Sequence, residues 1–120
     1  MRKLMILSAF ASIAYAGGAL ADACPKASDI TQMPMNHGFA YKAPGGWTGE
    51  NPGADENDIK SFKFTAVKVN PNVVLCDFEG DGNFSGVRMN LRESKTPDKG
   101  DWKDGFCKST NNNPQDCTFK

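Results

Sequence analysis

Four cysteines, Cys24, Cys76, Cys107 and Cys117, are the residues of this sequence best suited to covalent or metal chemistry. An even number of cysteines in a short chain predicts disulfide bonds or a structural zinc site. Zinc sites usually place two ligands two to four residues apart, and no two of these cysteines have that spacing. The one histidine, His37, has no histidine partner. We therefore predict two disulfides and no metal centre.

Four cysteines can be paired in three ways. We expect one bridge between Cys107 and Cys117, because the segment between them, Lys108–Asp116, is polar and has little apolar surface to hold it against a core. The second bridge then joins Cys24 to Cys76 and attaches the N-terminal segment to a central strand.

Two further patterns have simpler explanations than catalysis or metal binding. The run Asp77–Asn83 resembles the start of a calcium loop, but the twelfth position, where such a loop needs an acid, is Arg88. Its Gly and Asn residues are also typical of a hairpin turn. His37 has no motif around it that indicates a general base. We expect no cofactor and no enzymatic site, and keep a small hydrolase only as a third functional hypothesis.

Aromatic side chains are the strongest candidates for a binding surface. Trp47 and Trp102 each lie in a long polar connection, and Tyr41 comes shortly before the first of these. Exposed aromatic residues on loops often contact proteins or sugars. The alternative is that both tryptophans fold back and complete a small core that is short of aliphatic residues.

The first 21 residues have the layout of a secretory signal peptide. Two basic residues precede an apolar run, Leu4–Ala16, and Ala19–Ala21 forms a small-residue cleavage pattern. An acidic residue shortly before Cys24 argues against a lipid anchor there. The sequence thus predicts a single domain over residues 22–120, exported to the periplasm or the extracellular space and free of the membrane after cleavage.

Residues 22–120 carry 12 basic and 14 acidic side chains, a net charge of −2. Nucleic-acid binding needs a basic face, so this balance argues against it. Ninety-nine residues suit one domain, because two would each be too small for a core.

Alternating apolar and polar residues predict an all-β fold. The runs typical of strands are Gly38–Ala43, Ile59–Val69, Val73–Glu79 and Phe84–Arg92. The last three are joined by short turns and predict a central three-stranded antiparallel meander within a small sheet or sandwich. Shorter strands are expected at Ile30–Met35, Gly105–Lys108 and Thr118–Lys120. The remaining connections, Gly45–Asp58 and Ser94–Gly105, are predicted as long loops.

Two details of the meander bear on structure and function. Its first strand changes phase between Ala66 and Val67, which predicts a bulge. Its last strand alternates, so Arg88, Asn90 and Arg92 are expected on the face opposite the core.

Several short motifs resemble those of a family of small exported bacterial domains of unknown function. They include Cys24-Pro25 after the signal peptide, Tyr41–Pro44 leading into Gly46-Trp47, and the closing Cys117–Phe119. This resemblance implies a Gram-negative exported protein with two bridges and a small β-rich fold. It implies no catalytic residues.

These observations lead to two main hypotheses. The first is a binding module that contacts a protein or glycan through Trp47, Trp102 and Tyr41. The second is a secreted inhibitor or host-directed effector, in which the disulfide-held loop Lys108–Asp116 inserts into a partner.

Overall fold

The computed structural model describes residues 22–120, so the predicted signal peptide lies outside the described residues. Within this range the chain is all-β, and its helical elements are short 3-10 turns. The strands, in chain order, are β1 Thr31–Pro34, β2 Phe39–Ala43, β3 Trp47–Asn51, β4 Lys63–Asn70, β5 Val73–Glu79, β6 Gly86–Leu91, β7 Trp102–Lys103 and β8 Phe106–Lys108.

All these strands belong to one antiparallel sheet in the order β1-β2-β3-β6-β5-β4-β8-β7. The sheet consists of two meanders, β1-β2-β3 and β4-β5-β6, that meet where β3 pairs with β6, and of the hairpin β7-β8, which joins it where β8 pairs with β4. The chain leaves β3 at the centre of the sheet and crosses to β4 through a 3-10 turn at Asp58–Ser61. It then returns strand by strand until β6 lies beside β3.

The predicted central meander is confirmed. Strand β5 has the predicted bounds, and β4 contains a bulge between Phe64 and Ala66, close to the predicted change of phase. The predicted first strand of the meander begins too early, because Ile59 lies in the 3-10 turn.

Three predicted features of the connections are wrong. The predicted loop Gly45–Asp58 contains β3, and the predicted loop Ser94–Gly105 contains β7. Segment Thr118–Lys120 forms isolated bridges instead of a strand: Phe119 bridges Asp22 and Pro97, and Lys120 exchanges backbone hydrogen bonds with Thr96. The sequence of β3 shows little apolar alternation, because its second inward position is Gly49. A side chain there would meet the Arg88 carbonyl at 2.7 Å, so glycine lets β3 and β6 approach.

One face of the sheet packs on the core and the other, here called the outer face, is open to solvent. The core is built from inward side chains of β2 to β6 and β8, and it is covered by the segments that contain Cys24 and Ile30 at one end of the described range and Cys117 and Phe119 at the other. The sheet curves around this core. The curvature is seen in the distance of 5.3 Å between the ring of Tyr41 on β2 and that of Phe62, which immediately precedes β4. Three strands separate β2 from β4 in the sheet.

Both predicted disulfides are confirmed. Cys24 is bonded to Cys76 on β5, and Cys107 on β8 is bonded to Cys117. All four cysteines are buried. The first bridge holds the N-terminal segment over the core, and the second holds the C-terminal segment beside it. Two disulfides are consistent with a protein that folds outside the cytoplasm.

Candidate functional site

The structure buries two of the three aromatic residues predicted to form a contact surface. Tyr41 is 0% exposed and Trp47 is 5% exposed. Both occupy inward positions of their strands, and the Trp47 ring packs edge-on against Phe119 with 6.4 Å between ring centroids. The prediction that Tyr41 and Trp47 contact a partner is therefore wrong, and the alternative, that large aromatics complete a lean core, applies to them.

Trp102 lies elsewhere and is half-buried. It begins β7, at the opposite end of the strand order from β1 and β2, and its indole Nε1 donates to the Lys99 carbonyl at 3.0 Å. Its ring packs against the edge of the core. The three predicted residues thus form no common surface.

The Tyr41 hydroxyl is a buried polar group with no hydrogen-bond partner among residues 22–120. Burial raises the pKa of this phenol above its ordinary value of 10.0, and the negative charges of Asp58 and Asp55 raise it further. The hydroxyl makes no contact that would give it a chemical role.

Replacing Tyr41 with phenylalanine is expected to leave the free energy of unfolding at pH 7 unchanged, or to raise it by about 1 kcal/mol, because an unpaired buried hydroxyl is removed. The folded-state pKa of Tyr41 lies above the unfolded one, so the contribution of Tyr41 to stability is fully present below pH 10 and is lost as the pH rises from there. Urea unfolding from pH 7 to 11 checks this: the wild-type curve should fall more steeply than that of Tyr41→Phe. Parallel curves would contradict the assignment.

The structure places two further residues considered in the sequence analysis, His37 and Asp77, at separate positions on the surface. His37 lies exposed in the turn between β1 and β2. Asp77, the first residue of the calcium-like run, lies on the outer face of β5 and is bound by Arg88. No group of three His, Cys, Asp or Glu side chains between residues 22 and 120 is arranged to hold a metal ion.

The disulfide-held loop Lys108–Asp116 is tied to the body of the protein. The amide of Asn112 donates to the Phe64 carbonyl at 2.9 Å, and the backbone N–H of Ser109 donates to the Thr65 carbonyl at 2.8 Å. The exposed tip of the loop, residues 110–113, consists of polar residues.

An open groove runs along β6 on the outer face. It consists of two adjoining hollows of about 530 and 420 Å³ that share Glu50 and Arg88. The first hollow lies over β2, β3 and β6 and is also lined by Met33, Lys42, Thr48, Asn90 and Arg92. The second lies over β5, β6 and the turn between them and is also lined by Thr65, Asp77, Glu79, Phe84 and Ser85.

Strand register explains why these polar groups meet. Asn90 on β6 pairs with Thr48 on β3, which in turn pairs with Lys42 on β2. Arg88, two residues before Asn90, pairs with Asp77 on β5. Because side chains two residues apart share a face, these residues form two parallel rows across the outer face.

Arg88 stands at the junction of the two hollows and is oriented by a two-point ion pair. Its Nε lies 2.7 Å from Asp77 Oδ1 and its terminal nitrogen 3.0 Å from Oδ2. This hydrogen-bonded carboxylate raises the pKa of Arg88, so the guanidinium stays charged. The pair is exposed and contributes only about 0–1 kcal/mol to stability. Its structural effect is to fix the guanidinium in the groove.

An exposed aromatic ring, Phe84, stands at the end of the second hollow. Its side chain is 83% exposed, and its backbone has a φ of 61°, a left-handed conformation that bulky residues rarely adopt. The Asn51 side chain holds this turn: its amide donates to the carbonyls of Phe84 and Gly86 at 2.7 and 2.8 Å, and its oxygen accepts from Gly53 at 2.9 Å.

Strained backbone and an exposed large ring both carry a cost, and such outliers often mark functional positions. Phe84 is absent from the predicted contact residues, because the alternation of its segment places it at the start of a strand. The signal that would have revealed it is a phenylalanine directly after the turn residues Gly80–Asn83.

No protein-family model, curated protein or solved structure matches this chain. None of the helical turns between residues 22 and 120 is long and apolar enough to cross a membrane. Inference about function therefore depends on the geometry of the groove.

Proposed function

We propose that the protein is an exported, non-catalytic module that binds a glycan in the groove along β6. The observation that carries this proposal is the exposed, strained Phe84 beside an open row of polar side chains. An aromatic ring presents a flat surface for the apolar face of a sugar, and hydroxyl, amide and carboxylate groups match sugar hydroxyls. Between residues 22 and 120, the Thr48 hydroxyl and Glu50 carboxylate make no side-chain hydrogen bond, so they are free for a ligand.

The position of the groove favours a glycan over an extended peptide. Peptides that bind sheets usually add a strand at an edge, where main-chain groups are unpaired. This groove lies on the face over β3, β6 and β5, which are interior strands of the sheet. Recognition there depends on side chains, and the groove has no deep apolar pocket for a peptide side chain. Strand β6 alone is roughly 20 Å long, which accommodates several sugar units.

Export is part of this proposal. The N-terminal layout predicts a signal peptide, and the two disulfides are consistent with an oxidising compartment, either the periplasm or the extracellular space. The resemblance to small exported bacterial domains supports the same compartment. Glycans of the cell envelope or of other cell surfaces would be present in both.

A glycan array followed by calorimetry on the best-binding oligosaccharide tests the function. The key variant is Phe84→Asn, because asparagine tolerates the left-handed conformation but has no ring. We expect its Kd to rise roughly tenfold or more, as expected for removal of an aromatic hot spot. Its melting temperature should stay the same or rise, since the backbone strain is reduced.

The matched control is Phe106→Asn. Phe106 is 43% exposed and lies on the outer face on β8, outside both hollows. Its replacement should leave the Kd within about twofold, a change that corresponds to under 0.5 kcal/mol. Equal losses in both variants, or an array on which no oligosaccharide binds, would contradict a glycan site at Phe84.

A further inference from the structure

We infer that the first hollow is an anion subsite, so that the bound glycan carries an acidic sugar there and a neutral sugar at Phe84. This inference rests on the proposed function and names the class of glycan. Its basis is the uneven distribution of charge along the groove. The exposed cations of the first hollow, Lys42, Arg92 and Arg88, outnumber its single acid, Glu50.

Two of these cations are free to receive an anionic ligand. Within residues 22–120 neither Lys42 nor Arg92 forms an ion pair, whereas Arg88 is already paired with Asp77. Unpaired cations beside a free hydroxyl, here that of Thr48, are the groups that bind carboxylate or sulfate. The Asn90 amide lies next to them and already donates to the Thr48 and Arg88 carbonyls at 3.3 Å. Thr48 and Asn90 both lie on the row that joins Lys42 to β6.

The second hollow has the opposite charge. Its acids, Glu50, Asp77 and Glu79, outnumber its only cation, Arg88. An anionic group would be repelled at that end, where Phe84 offers a surface for a neutral ring. The groove therefore selects both the charge and the direction of the ligand: the acidic sugar lies over β2 and β3, and the neutral sugar lies at the turn after β5.

NMR titration of the 15N-labelled protein with small probes tests the subsite directly. The probes are methyl glucuronoside and its carboxyl methyl ester, which differ in one charge and one methyl group, and glucose 6-sulfate as the sulfate counterpart. Ionic strength is matched with sodium chloride. We expect saturable shifts at the amides of Lys42, Thr48, Asn90 and Arg92, with the acid binding roughly tenfold more tightly than the ester, as for a charge-assisted hydrogen bond. Binding of the sulfate alone would identify a sulfated rather than a carboxylated sugar.

The double variant Lys42→Gln/Arg92→Gln should remove the preference for the acid and leave binding of the ester unchanged. A control with the same change in net charge, Lys68→Gln/Lys108→Gln, alters two exposed outer-face cations outside both hollows and should retain the preference.

Failures of the two proposals give different results. Equal binding of the acid and the ester together with no tighter binding of the sulfate, or a preference for the anion that survives in the double variant, overturns the anion subsite. The glycan site at Phe84 would still stand if Phe84→Asn weakened oligosaccharide binding. Loss of that dependence on Phe84, with a retained preference for the acid in the first hollow, would instead overturn the glycan proposal.

Discussion

Replacing Cys24 and Cys76 together with alanine is expected to lower the free energy of unfolding by about 4 kcal/mol. In the chain-entropy description, a bridge stabilises by restricting the unfolded chain, and a sequence separation of 52 residues gives this magnitude. A domain of this size has only about 5–15 kcal/mol in total. The loss should be enhanced because Cys24 holds the N-terminal segment over the core, where both half-cystines are buried.

The second bridge provides the comparison. Cys107 and Cys117 are separated by 10 residues, so the alanine pair at these positions should cost about 3 kcal/mol. Guanidinium unfolding followed by tryptophan fluorescence measures both variants under the same conditions. The ranking is the test: a greater loss from the shorter loop would show that packing around the bridges, and not loop closure, sets their contribution.

Truncation of Trp47 to alanine is expected to destabilise the protein by about 3–5 kcal/mol, the usual cost of removing a buried aromatic ring from a core. The ring is 5% exposed and packs edge-on against Phe119, whose backbone joins the C-terminal segment to Asp22. Loss of the ring leaves a cavity beside the backbone contact between Asp22 and Phe119. Denaturant unfolding monitored by circular dichroism gives the free energy.

Trp102→Ala is the matched control for Trp47→Ala. The Trp102 ring is half-buried at the edge of the core, so about 0.5–3 kcal/mol is expected, the range of ordinary substitutions. A Trp47→Ala protein of unchanged stability that no longer bound its ligand would restore the contact surface predicted from the sequence. Loss of stability with ligand binding retained in the folded fraction is the result that the structure predicts.

The candidate site could be predicted only in part. The alternation of β6 places Arg88, Asn90 and Arg92 together on the outer face, because side chains in a strand alternate between faces. The partners of these residues on β3 could not be predicted. Strand β3 pairs with β6, which lies far from it in the sequence. The polar and glycine residues of β3 also resemble those of a loop.

Phe84 illustrates a different limit. Its exposure depends on a left-handed backbone conformation that is held by Asn51, a residue 33 positions away in the sequence. No local pattern contains that contact. The reverse holds for Trp47 and Tyr41, whose positions beside polar and glycine-rich segments suggested exposure although both point into the core.

The fold class, the central meander, a bulge in β4 and the presence of two disulfides follow from local alternation, turn residues and the number of cysteines, whereas the cysteine pairing had to be chosen among three possibilities. The burial of individual aromatic residues and the position of the groove follow from the three-dimensional arrangement of the strands. Both depend on the crossover that brings β3 beside β6 and on the curvature that closes the sheet over its core. Such long-range pairing is selected by packing of the whole chain, and so a local pattern does not predict it.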